Sequence, residues 1–146
     1  MGTDITIEAQ RREDGEWVRV SGSFSQGPDP FDWRSYGLFA FLAGIRNYSA
    51  ITPIAAARGA PCDLTSDEYW QNRDSVSWLT FEELALYDYD QIIEDRRSRG
   101  NDGSKTVEPG AGVRLSLRDF LGQAYFDDLK ELARIGAERI VFAFDS

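Results

Sequence analysis

Apolar and polar residues alternate strictly over residues 4–10. Ile5, Ile7 and Ala9 fall on one side and Thr6, Glu8 and Gln10 on the other. A period of two predicts a half-buried strand. Asp14-Gly15 follows, a pair suited to a tight hairpin turn, and residues 16–20 read as the returning strand. After a loop over residues 22–32 the period changes. Leu38, Phe39, Leu42 and Ile45 are spaced for a helix over residues 36–46, with Asn47 as its stop. Residues 48–63 are irregular, holding Pro53, Arg58-Gly59 and Pro61, and Ser66 predicts a short helix over 66–71.

Two helix starts are written more explicitly. Thr80 and Glu83 form a capping box with Leu79 and Leu84 as its hydrophobic staple, predicting a helix from Thr80 towards Ile93. Ser116 and Asp119, flanked by Leu115 and Phe120, repeat the device and predict a helix reaching about Ile135, which Gly136 ends. Residues 139–145 are apolar on both faces, as in a central strand. Residues 98–112, with four glycines and a proline, read as a mobile insertion. The order predicts an α+β fold in one domain over 1–146. The N-terminal hairpin and the C-terminal strand form a small, mainly antiparallel sheet, with helices packed on one face.

Composition adds exclusions. The single cysteine, Cys62, rules out an internal disulfide and, having no histidine to activate it, does not read as a nucleophile. No apolar run approaches the ~20 residues of a membrane span, and the start lacks a signal-peptide pattern. The expected location is cytoplasmic, with no membrane partner. Sixteen basic against 25 acidic side chains give a net charge of −9, which disfavours broad nucleic-acid binding but permits one local basic pocket. With no histidine, the usual general base and the commonest metal ligand are missing. No cofactor is expected, and any metal would be held by carboxylates.

Three groups could carry chemistry. Asp4 and Asp145 meet if the terminal strands pair antiparallel, and they are the candidate metal ligands. Arg96, Arg97, Arg99 and Lys105, set among glycines, could wrap a phosphate, but they match no phosphate-loop motif, and a solvated charge run is the favoured reading. Arg46, Asn47 and Arg58, with Tyr36, Tyr48, Trp70 and Trp78, offer guanidinium forks for phosphate and rings for a base. Within that group Tyr36 and Trp78 are the candidate stacking rings.

Several of these segments together resemble a family of small bacteriophage-encoded proteins. They are Met1 to Glu8, Tyr36 to Asn47, Arg58-Gly-Ala-Pro61, Ser77-Trp-Leu-Thr-Phe-Glu-Glu-Leu84 and Arg139-Ile-Val-Phe-Ala-Phe-Asp145. Family members begin Met-Gly-Cys-Asp-Ile-His and carry another histidine before the Ser-x-Ser-Trp-Leu-Thr stretch. Here Thr3, Thr6 and Asp74 stand at those places. The resemblance implies a host-interference role, and the lost histidines imply a pocket that binds without turnover. Three readings follow. The first is sequestration of a small nucleotide-like anion by Tyr36, Arg46, Asn47, Arg58, Asp74 and Trp78. The second is an acidic protein–protein inhibitor of a host defence effector. The third is a carboxylate-metal phosphoester hydrolase using Asp4, Asp74 and Asp145. A pocket shared across a homo-oligomeric two-fold axis is compatible with a domain of this size.

Overall fold

The computed structural model describes residues 2–62, 68–97 and 106–145. In chain order the elements are β1 (Asp4–Glu13), β2 (Glu16–Val20), α1 (Tyr36–Ala43), α2 (Glu68–Gln71), β3 (Ser77–Thr80), α3 (Phe81–Leu86), β4 (Ile92–Asp95), β5 (Val113–Ser116), α4 (Leu117–Leu121), α5 (Gln123–Arg134) and β6 (Arg139–Asp145). The fold is α+β, built on an antiparallel sheet. The chain divides into two compact units. The first comprises Met1–Arg34, Ala57–Leu86 and Ala124–Ser146, and the second Ser35–Ala56 and Tyr87–Gln123.

The first unit holds a four-stranded sheet in the order β2-β1-β6-β3. Asp14 and Gly15 turn the β1–β2 hairpin with φ of 51° and 82°, the two positive values that a type I′ turn requires. Strand β6 is central and buried over residues 139–144, as its two apolar faces predict. Its antiparallel register sets Ile5 against Phe144 and Ile7 against Phe142, so the alternating apolar positions of β1 meet apolar partners. On the other face Val141 and Ala143 pack with Trp70 of α2 and with Val76. Arg139 is buried there, donating from Nε to Gln10 Oε1 at 2.7 Å, its guanidinium 3.7 Å from the Trp17 ring centroid. The loop after β2 is fastened to α5 by Asp128, whose buried carboxylate accepts from Ser25 N and Oγ (both 2.8 Å) and Phe31 N (2.9 Å).

In the second unit all of α1 from Tyr36 to Leu42 is buried, which fits a helix apolar all round. Phe41 meets the rings of Tyr87 (5.3 Å) and Tyr89 (5.8 Å) edge-on or tilted. A Cβ on Gly37 would stand 3.0 Å from the Phe120 ring, so the glycine permits the close approach of α1 and α4. Strands β4 and β5 form a separate antiparallel pair.

Several sequence expectations are corrected. Helix α1 stops at Gly44, not Asn47, because Gly44 takes a left-handed φ of 72° and its N–H bonds Ala40 O. The helix expected from Thr80 to Ile93 is only α3. It ends at Leu86, and in the turn that follows Asp90 N donates to the Asp88 carboxylate at 3.1 Å before β4 begins at Ile92. The helix expected from Ser116 to Ile135 is broken by Gly122, whose φ of 88° and ψ of 165° are open to glycine alone. Strand β3 and the β4–β5 pair were not foreseen at all. The short helix expected over 66–71 is seen as α2, its earlier part lying outside the described residues. Of the insertion read over 98–112, residues 98–105 lie outside them as well. Residues 106–112 are tied back by the Arg97–Thr106 bridge and by Val107 N donating to Arg96 O at 2.9 Å.

Candidate functional site

The residues singled out in the sequence are divided between the units. Arg58, Asp74, Trp78, Asp4 and Asp145 belong to the first, and Tyr36, Arg46 and Asn47 to the second.

In the first unit, Arg58 serves the sheet edge. Its guanidinium lies 4.6 Å from the Trp78 ring centroid, donates to Trp78 O at 3.2 Å and closes a two-armed ion pair on Glu83 at 2.7 and 2.5 Å. Its backbone N–H donates to Ser77 Oγ at 3.0 Å. Strand β3 is the outer strand, so these bonds occupy polar groups that an exposed edge would offer to another chain. Glu83 is also the reciprocal member of the capping box. It accepts from Thr80 N at 3.0 Å while its own N–H donates to Thr80 Oγ1 at 3.1 Å. The Arg58 guanidinium, and then the Thr80 N–H, hold the Glu83 carboxyl down to about 2. Arg58, Trp78, Thr80, Glu82, Glu83 and Leu86 line an open concavity of about 480 Å³.

The strand-end acids do meet: Asp4 and Asp145 are register partners. Each is engaged by its own arginine, Asp4 by Arg34 at 2.9 Å and Asp145 by Arg73 at 2.6 Å. Arg73 also donates to Thr6 Oγ1 at 2.6 Å, so Thr6 and the residue preceding Asp74 are brought together. Asp74 itself is exposed in the turn before β3. Among the described residues no group of three or more cysteine or acidic side chains is placed to hold a metal ion.

In the second unit, Asn47 works for the backbone. Its amide donates to Ile51 O at 2.7 Å and accepts from Ile51 N at 3.0 Å, closing the loop after α1. Arg46 and Ala50 in that loop have positive φ of 53° each, a conformation that the clamp helps to hold. Arg46 donates to Tyr48 Oη at 2.8 Å and lies 5.4 Å from the Tyr36 ring centroid.

The clamped loop forms one wall of a cleft of about 330 Å³. Ser49, Ala50, Ile51 and Thr52 line it on that side, with Gln91 to Glu94, Arg96 and Leu117 supplying the rest. Its charged groups differ from their neighbours. Arg97 closes on Asp95 at 2.9 Å and Arg118 on Asp90 at 3.1 Å, and the Arg97 guanidinium holds the Asp95 carboxyl below its usual range. Among the described residues Arg96 is bonded through its backbone, its N–H donating to Ser49 Oγ at 2.9 Å and its carbonyl accepting from Val107 N. Its Nε is buried without a hydrogen-bond partner among the described residues. Buried donors in proteins are nearly always satisfied, so this guanidinium is the group of the cleft most in need of an acceptor. Sequence reasoning had placed Arg96 in a solvated charge run. No local signal separates it from Arg99 and Lys105, because what sets it apart is that it directly follows β4, a strand too short to show a period.

No protein family, curated protein or solved structure matches this chain in comparison.

Proposed function

We propose that this chain is a phage-encoded host-interference protein that binds and sequesters a small nucleotide-like anion in the cleft of the second unit. It would act in the cytoplasm of the infected bacterium. One observation carries the reading: Arg96 lines a concave site with a buried Nε that nothing among the described residues accepts from. The Arg96 guanidinium, which no described side chain engages, would meet an anionic oxygen in the cleft with a charge-assisted bond, the strong kind. The cleft volume lies at the lower end of the roughly 300–1,000 Å³ of small-molecule sites, enough for a mononucleotide-sized ligand. Asn47, by clamping the loop that forms one wall, is a positioning residue, and Tyr36 and Arg46 belong to the segment leading into it.

Calorimetry against cyclic nucleotides, ADP-ribose-type nucleotides and AMP tests the reading. Binding by the intact chain, weakened at least about tenfold in Arg96→Gln, is the expected result. Failure of every nucleotide to bind sinks it. Binding that is indifferent to Arg96→Gln but quenches tryptophan emission would move the site to Trp78.

A second reading, an acidic inhibitor of a host effector, draws on one feature. Leu86 is 75% exposed at the Arg58–Trp78 concavity, beside Glu82. A single stoichiometric protein partner, lost with Leu86→Glu in a chain that binds no nucleotide, would favour it.

A further inference from the structure

The same cleft constrains what its ligand carries besides the anion, and the inference that follows rests on the nucleotide-anion reading. Glu94 lines the cleft together with Arg96, and the two do not form an ion pair with each other or with any other described residue. Among the described residues the bond to the Glu94 carboxylate is a long one, 3.3 Å from Gly112 N to Oε2. Gly112 can come this close only because it lacks a side chain. A Cβ there would stand 2.5 Å from Asp95 O and 2.9 Å from Glu94 Cγ. The cleft therefore holds a guanidinium that can only donate and a carboxylate that can only accept.

A simple inorganic anion satisfies the first and is repelled by the second. A ligand that fits both has an anionic acceptor at one end and hydroxyl donors at the other. We infer that the cleft takes a phosphorylated sugar, free or as the ribose phosphate of a nucleotide. Arg96 holds the phosphate and Glu94 accepts from the sugar hydroxyls. The remaining lining agrees with this. Thr52 and Gln91 are polar, and the wall residues Ile51, Ile92, Ile93 and Leu117 include no ring on which a base would stack. Recognition thus concentrates on the sugar phosphate, not the base.

The test is calorimetry on the full chain with ribose 5-phosphate, AMP and inorganic phosphate, using Glu94→Gln and Arg96→Gln. Glutamine at 94 keeps an oxygen for Gly112 N, so the β4–β5 pair is retained, and thermal denaturation checks that both variants fold. Glu94→Gln is expected to weaken ribose 5-phosphate and AMP by about tenfold, while inorganic phosphate is unchanged or tighter. Ribose 5-phosphate binding while AMP does not identifies a free sugar phosphate, and comparable binding of both identifies the shared moiety. If Glu94→Gln tightens all three, Glu94 acts only as a repelling charge and the sugar inference is overturned, while anion binding through Arg96 stands. If none of the three binds the wild-type chain, both inferences fall together.

Discussion

Single residues carry the sharpest energetic statements. Asp128 is 1% exposed and satisfies two backbone N–H groups and a hydroxyl of the loop 25–31. Phe31, held in that loop at a φ of 55°, is fully buried and stacks on Tyr125 at 4.6 Å. Alanine at 128 would leave the buried Phe31 N–H without its acceptor and free the exposed Ser25 from α5. Asp128→Ala is expected to lower stability by about 2–4 kcal/mol, read from urea unfolding. Nothing in the sequence announces this role. Asp127 and Asp128 are adjacent acids on one helix, and only the tertiary fold buries the second. Arg58 shows the converse. It was conspicuous because it sits in irregular chain, yet it bonds the β3 edge and Glu83, a structural assignment that required knowing β3 existed.

At the scale of elements, what could be read was whatever is encoded within a few residues. The Asp14-Gly15 turn, the Thr80–Glu83 box and the Ser116 cap all appear as written, since each is a bond between neighbours in the chain. The helix ends were less legible, because Gly44 and Gly122 look like tolerable interior residues until their φ is known. Four-residue β3 and β4 are too short to show a period and are set by the strands they pair with. Of the site, the loop after α1 was found, while Arg96 was named only within a cluster read mainly as a solvated charge run, since its place at the cleft depends on β4. Two outcomes test this level. At Gly122 nothing obstructs an added Cβ, so Gly122→Ala pays through backbone strain alone and is expected to cost about 1–3 kcal/mol. At Glu83 the folded carboxyl lies near 2 against an ordinary 4.5. A depressed value means the contribution is present above about 4.5 and lost as the pH falls towards 2. Asp95 and Glu131 are depressed too and act in the same direction, while Asp32, raised by its burial, opposes them. The specific expectation is that the stability difference between the wild type and Glu83→Gln shrinks steadily between pH 5 and pH 2. A difference constant across that window would show that the Arg58 pair contributes nothing to folding.

For the molecule as a whole, charge is the governing quantity. A chain of net −9 repels an approaching anion at distances where individual groups are not resolved. That repulsion extends over a Debye length, about 10 Å at 0.1 M salt, whereas a contact to Arg96 acts at hydrogen-bond range and is screened far less. The two influences therefore fall on different rate constants. Association of AMP is expected to quicken, by roughly two- to threefold, as salt rises from about 20 to about 200 mM, because screening removes the long-range barrier. Dissociation, set by the short contact, should change little over the same range. Stopped-flow measurement separates them. Association that slows with salt would mean that a local positive field dominates the approach, and the acidity of the chain could then not be background to the Arg96 contact. The predicted sign is also unlike that of phosphate-backbone binders, whose affinity falls steeply with salt. One titration thus distinguishes a small-anion site within an acidic surface from a nucleic-acid interface.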